Sequence, residues 1–383
     1  MAVEIADPRT FPQQGDAAFS PQLELAAASL EATGTVRAAE LDQTLTDDLA
    51  RALRSGDASW LVRLFAAAPS AAIGRHLWRR LLAAWKLASR NDGEHGIAVT
   101  LFALPIVIVA ARRSEAGPAA IDAVLPGSDR VAALLQEHGA LAGNRNFGLG
   151  NALVAAEMLD LPQLPELLSW TRLPDPRAAT RALSPAPIPI AAAGEGVHLR
   201  FLFGTAVAAP GADLLADAQV GAWGIALAQE LARQLAAPEI SLLALPRAPR
   251  APPTGLHEGR AAQREVGAHL FTSNAIRRLR AAVGEPSAVV SAHRSPTAAG
   301  GGELRLSISS AFDAAQAEGF RCPLFIGERA GDVAAMLVDL LRACRVADVH
   351  VLPGVYPDRD AETGLVLLFK PESLPQARNT AIQ

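Results

Sequence analysis

Lysine is almost missing from this sequence. Of its 35 basic residues only Lys86 and Lys370 are lysines. Schiff-base or phosphate-loop lysine chemistry therefore has two candidates, and the excess of arginine and alanine matches a GC-rich bacterial genome. Cysteine is equally scarce. Cys322, before a proline, and Cys344, in an apolar helical pattern, are the only two; they cannot make a disulfide framework or a four-cysteine zinc site, and they suit a reducing cytoplasm. Aromatic residues are 5% of the chain and the formal charge is −4. Nucleic acid and anionic membranes are thus poor partners, for want of stacking groups and of long-range attraction. The start, MAVEIADPRTF, carries an early acid and no apolar h-region, unlike a secretory signal. The longest apolar run, 96–111, is 16 residues, short of the roughly 20 that cross a bilayer as a helix. Pro105 and many β-branched side chains within it predict a buried strand and no membrane insertion.

What is present is core. Half of the 383 residues are apolar and 19% are charged, enough for more than one average domain. Residues 1–20, punctuated by Pro8, Pro12 and Gly15, predict a flexible lead. Helical spacing of Leu23, Leu30, Leu41, Leu45, Leu49 and Leu53 predicts a helical region over 21–92. There Thr46-Asp47-Asp48 precede an apolar run that Ser55-Gly56-Asp57 breaks. A second helix carries Leu77, Trp78, Leu81, Leu82 and Trp85 on one face. This region is expected to pack on an α/β unit over 93–171, which contains the strand at 97–109, a helix from Asp129, and a loop leading from 143 into another helix. Five prolines between Pro174 and Pro189 mark 172–196 as an extended linker.

From 197 to 383 strands and helices alternate: strand 197–207, helix 220–235, strand 240–245, long helix 256–283. Two strands follow at 288–292 and 303–309, then an irregular stretch near Phe320, a helix from Ala330, and strands at VHVLPGV and GLVLLFK. The fold class expected is α/β, with mixed α+β as the variant. The two α/β units could be duplicates. Trp78 and Trp223 each open a helix leading to a strand with Ala-Leu-Pro (103–105 and 244–246), and Phe147 and Phe271 precede Asn-Ala pairs at 151–152 and 274–275.

Three places could carry chemistry. Glycines at 143, 148 and 150, with Asn144 and Arg145, could present N–H groups to an anion at a helix N-terminus, although neither nucleotide fingerprint is met. His293 follows a strand end, with Asp313 and Cys322 in the next irregular segment; acid–base or nucleophilic pairing is conceivable. A solvated histidine at a hairpin tip is the plainer reading, under which His293→Ala would be neutral. Between Arg247 and Arg280, seven arginines face only Glu258 and Glu265. Arg277, Arg278 and Arg280 could bind an anionic small molecule, or the segment could pair with the acidic amino-terminal helices (Glu24, Glu31, Glu40, Asp42, Asp47, Asp48). The turn 358–364 lacks the ligand order of a calcium loop, and neither a metal site nor a cofactor is expected.

Because these reactive groups do not converge in sequence, the expected function is a non-catalytic cytoplasmic assembly, adaptor or scaffold protein. It would act through a protein partner or self-association. One alternative is an enzyme on a small or phosphorylated molecule, with a site near His293 or the 143–151 loop. The other is a regulatory domain binding an anionic ligand through the 247–280 arginines.

Overall fold

The computed structural model describes residues 5, 19–92, 98–115, 117–141, 146–156, 161–172, 185–191, 195–208, 214, 220–235, 238–282, 285–294, 302–310, 317–325 and 328–356. The fold is mixed α+β with a helical amino-terminal region. Contacts divide the chain into a larger unit, Gly15–Ala68 with His76–Gln263, and a smaller one, Met1–Gln14, Pro69–Arg75 and Arg264–Gln383.

The helical region comprises α1 (Ser20–Glu31), α2 (Val36–Ser55), α3 (Ala58–Ala66) and α4 (Ala71–Ala88). Helix α2 starts where the Thr35 hydroxyl accepts the Ala38 N–H, a cap that satisfies one orphan donor. It stops at Gly56, whose φ of 80° suits glycine. Thr46 does not open a helix, contrary to the sequence expectation. It lies mid-helix, and its hydroxyl donates to the Asp42 carbonyl one turn back, which lets a polar residue sit inside a helix.

The acids of this region pair locally. Asp42 accepts a hydrogen bond from Ser29 and lies 2.8 Å from His76 Nε2 and 3.1 Å from Arg80 Nη1. Burial pulls the His76 pKa below its ordinary value despite the opposing pull of Asp42. Burial tends to raise the Asp42 pKa, but the Ser29 hydrogen bond and the Arg80 and His76 charges outweigh it and hold the carboxyl below its usual value. Both groups bind protons more weakly folded than unfolded. Their stabilisation is complete above the unfolded pKa values, about 6.5 and about 3.9, and is lost as pH falls through the lower folded ones. We therefore expect the melting temperature to fall between about pH 7 and about pH 5, and His76→Gln to flatten that fall. An unchanged slope in the variant would assign the acid sensitivity elsewhere.

In the larger unit, β1 (Arg90–Asp92), β2 (Ala98–Arg112), β4 (Phe147–Leu149), β5 (Val154–Ala155), β7 (Glu195–Ala208) and β8 (Ile240–Pro246) form one antiparallel sheet. Two short strands, β3 (Ala120–Ile121) and β6 (Ile188–Pro189), pair apart from it. The apolar run read as a buried strand is β2. It pairs with β7 along its whole length, from Ala98 opposite Ala208 to Ala111 opposite Glu195. Strands from both sides of the proline-rich 172–196 stretch thus share one sheet.

Pro105 is tolerated mid-strand because its nitrogen faces the chain just past β8. There Arg247 N–H donates to the Pro105 carbonyl, and no donor is required in return. The even-numbered side of β2 (Phe102, Leu104, Ile106, Ile108) packs under α5 (Ser128–Glu137) and α7 (Val220–Leu235). Glu230 joins these two helices through Arg233, Gln234 and Arg130; its carboxyl is held down to about 2, chiefly by the Arg233 hydrogen bond. On the other face, Gly255 and Gly259 of α8 (Pro252–Ala282) lie one turn apart against the sheet. A Cβ on Gly259 would stand 2.9 Å from Leu199 Cδ1 and 3.0 Å from Pro105 Cβ. The short α6 (Leu164–Ser169) leads to Trp170, which packs edge-on against Phe203.

The 146–156 segment is not the helix expected from sequence. Phe147-Gly148-Leu149 pairs with β7, as do Val154 and Ala155. Two- and three-residue strands have too few positions to show a period; the long edge of β7 imposes them. That removes one half of the repeat pattern, since Phe147 lies in a strand and Phe271 inside α8. The described residues do not show a duplication.

The smaller unit has a four-stranded sheet in the order β11–β10–β9–β12, from β9 (Pro286–Arg294), β10 (Gly302–Ser310), β11 (Glu318–Pro323) and β12 (Asp348–Tyr356). Strand β12 runs parallel to β9 and the other pairings are antiparallel. The stretch read as irregular near Phe320 is β11. Its exposed and half-buried positions alternate with no apolar run to mark them. One face of the sheet packs on the later part of α8 and on α9 (Ala330–Ala343) through Ala288, Val290, Leu304, Leu306, Leu337 and Leu341. Arg264 and Glu328 form a buried bidentate pair at 2.6 and 2.8 Å. Arg264 also donates to the Pro323 carbonyl, and Glu328 accepts the Phe325 N–H. No helix among the described residues is long and apolar enough to cross a membrane.

Candidate functional site

Strand alternation in the smaller sheet sends even-numbered residues of β9 and β10 to the apolar core. The odd-numbered ones go to the opposite face. That second face carries Ser287, Ser291 and His293 on β9 and Glu303, Arg305, Ser307 and Ser309 on β10. Such alternation ordinarily marks a strand with one face in water. Here both faces are closed: Ser291, His293 and Arg305 are each 0% exposed and Glu303 is 4%.

The register explains how these groups meet. His293 stands opposite Glu303 and Ser291 opposite Arg305. The Ser291 hydroxyl is 2.8 Å from His293 Nε2. Arg305 Nε donates to Glu303 Oε1 at 2.7 Å, and Arg321 on β11 lies 3.9 Å from the same oxygen. Tyr356, the one tyrosine of the chain, sits opposite His293 with ring centroids 5.7 Å apart. At the other end of the face Ser287 donates to Asp348, which also pairs with His350. A serine and an imidazole at this distance can share or transfer a proton. The carboxylate beside them is neutralised by guanidinium, as a buried charge must be.

This placement corrects several sequence expectations. His293 is not at a solvated hairpin tip. It is enclosed, so His293→Ala would open a cavity beside Ser291 rather than be neutral. His293 and Cys322 do not meet: Cys322 pairs with Leu304 and faces the apolar core. Burial pushes its thiol up to about 12, which disfavours the reactive thiolate. Asp313, Asn144 and Arg145 lie outside the described residues, as does the 358–364 turn. Gly148 is a buried strand residue opposite Thr205, and the Gly150 N–H donates to the Phe203 carbonyl. The N–H of Gly150 is therefore spent on the sheet, and no helix begins there to offer an anion its N-terminus.

Arg277, Arg278 and Arg280 are exposed on α8. Arg277 donates to Asn274 one turn back, and Arg278 is bound to Glu318. Arg250 pairs with Glu258 and Arg264 with Glu328. Three arginines of the segment, Arg250, Arg264 and Arg278, are thus paired with Glu258, Glu328 and Glu318, and of the amino-terminal acids Asp42 is answered by His76 and Arg80 and Asp48 by Arg51.

Sequence reasoning missed Ser291, Glu303, Arg305 and Ser307 as a group. The signal was the strict polar–apolar alternation of Glu303 to Ser309, in which three of the four polar positions are Arg or Ser. Among the described residues, no three His, Cys, Asp or Glu side chains cluster as metal ligands. Comparison with protein-family models, with curated proteins and with solved structures gives no match to this chain.

Proposed function

We propose that this protein is a non-catalytic assembly protein that works in the cytoplasm through protein–protein contacts. The observation that carries this reading is the edge of the larger sheet. Strand β8, Ile-Ser-Leu-Leu-Ala-Leu-Pro, has seven residues and no charge, and among the described residues it pairs with β2 alone. Leu243 at its centre is 54% exposed. Edge strands are ordinarily blunted by charges, bulges or covering elements. The backbone edge is covered at Ile240 and Ala244, which are 3% and 2% exposed, so what β8 offers another chain is its uncharged outer face at Leu243. The polar groups that could do chemistry are engaged with one another: Ser291 with His293, Glu303 with Arg305.

A second reading draws on the Ser291–His293 contact, in which the imidazole would activate the hydroxyl as a nucleophile once the sheet face is opened. One experiment separates the two. In cells that express the protein, the native copy is replaced by Leu243→Arg or by Ser291→Ala, each with its melting temperature measured. Loss of the cellular role with Leu243→Arg and retention with Ser291→Ala is the expected result. The reverse pattern at matched melting temperature would overturn the assembly reading in favour of the enzyme.

A further inference from the structure

We draw no further inference here: the strongest candidate, the uncharged outer face of β8 around the exposed Leu243, carries nothing beyond the assembly reading it already supports, because nothing in the structure shows what covers it.

Discussion

Gly204→Ala is expected to destabilise the larger unit by about 3 kcal/mol or more, beyond the usual range for one added methyl in a packed core. Gly204 sits in the middle of β7, opposite Phe102. A Cβ there would stand 2.4 Å from Phe102 Cζ and 2.6 Å from the Gly148 carbonyl oxygen. The ring could turn aside only against its neighbours, since Phe102 is 1% exposed and meets Phe147 edge-on. The carbonyl cannot turn, because it belongs to the β4–β7 ladder. Phe102→Leu should therefore rescue Gly204→Ala only in part: it removes the ring conflict and leaves the backbone one. Gly221→Ala in α7 is the control. A Cβ there meets nothing within 4 Å, and alanine gains up to ~1 kcal/mol over glycine inside a helix. Denaturant midpoints of the three variants measure this. A Gly204→Ala protein within ~0.5 kcal/mol of wild type would show that the sheet relaxes at this point and that the close approach is not what holds β4 in place.

Glu328→Ala should cost the smaller unit about 3–5 kcal/mol, the range for removing one partner of a buried ion pair. The side chains of Arg264 and Glu328 are 7% and 11% exposed. Without the carboxylate, Arg264 keeps, among the described residues, the Pro323 carbonyl and the Phe325 ring, whose centroid lies 4.9 Å from its guanidinium carbon. The Phe325 N–H loses its acceptor as well. Replacing both partners, Arg264→Met with Glu328→Leu, should recover most of the loss, because a pair removed together leaves no uncompensated charge. Thermal unfolding of the single and double variants forms the cycle. If the double variant is as unstable as the single one, the damage lies in the packing around Phe325 rather than in the stranded charge.

Placement of the chemistry followed from the fold in ways no local pattern could supply. The alternation of Glu303, Arg305, Ser307 and Ser309 with Leu304, Leu306 and Ile308 identified β10 as a strand and gave the parity of its faces. It did not reveal that the polar face is buried, because alternation reports only that the two faces differ. His293 read as a residue just past the end of a strand at 288–292, yet it lies within β9 and its partner Ser291 is two residues back on the same strand. Its opposite number, Glu303, is fixed by a hairpin register that depends on the loop between the strands. Cys322 was legible as a thiol near His293 in sequence. Its single-residue offset in β11 sends it to the opposite face, where burial pushes its thiol up to about 12.

What the sequence by itself determined is the set of strongly periodic elements and the composition of their apolar faces: the helices of the amino-terminal region, β2 with its unbroken apolar run, α7, β8, α8, the β9–β10 hairpin and α9. These are long enough that hydrophobic period outweighs local ambiguity. Only the tertiary structure decided the short strands β4 and β5, which exist because β7 offers them an edge, and the strand β11, whose polar positions carry no apolar signature. It alone joined β2 to β7 across a proline-rich stretch that reads as a boundary. It alone also left β8 as an outer strand, since whether a neutral apolar strand lies inside a sheet or at its edge depends on the neighbours it finds and not on its own residues.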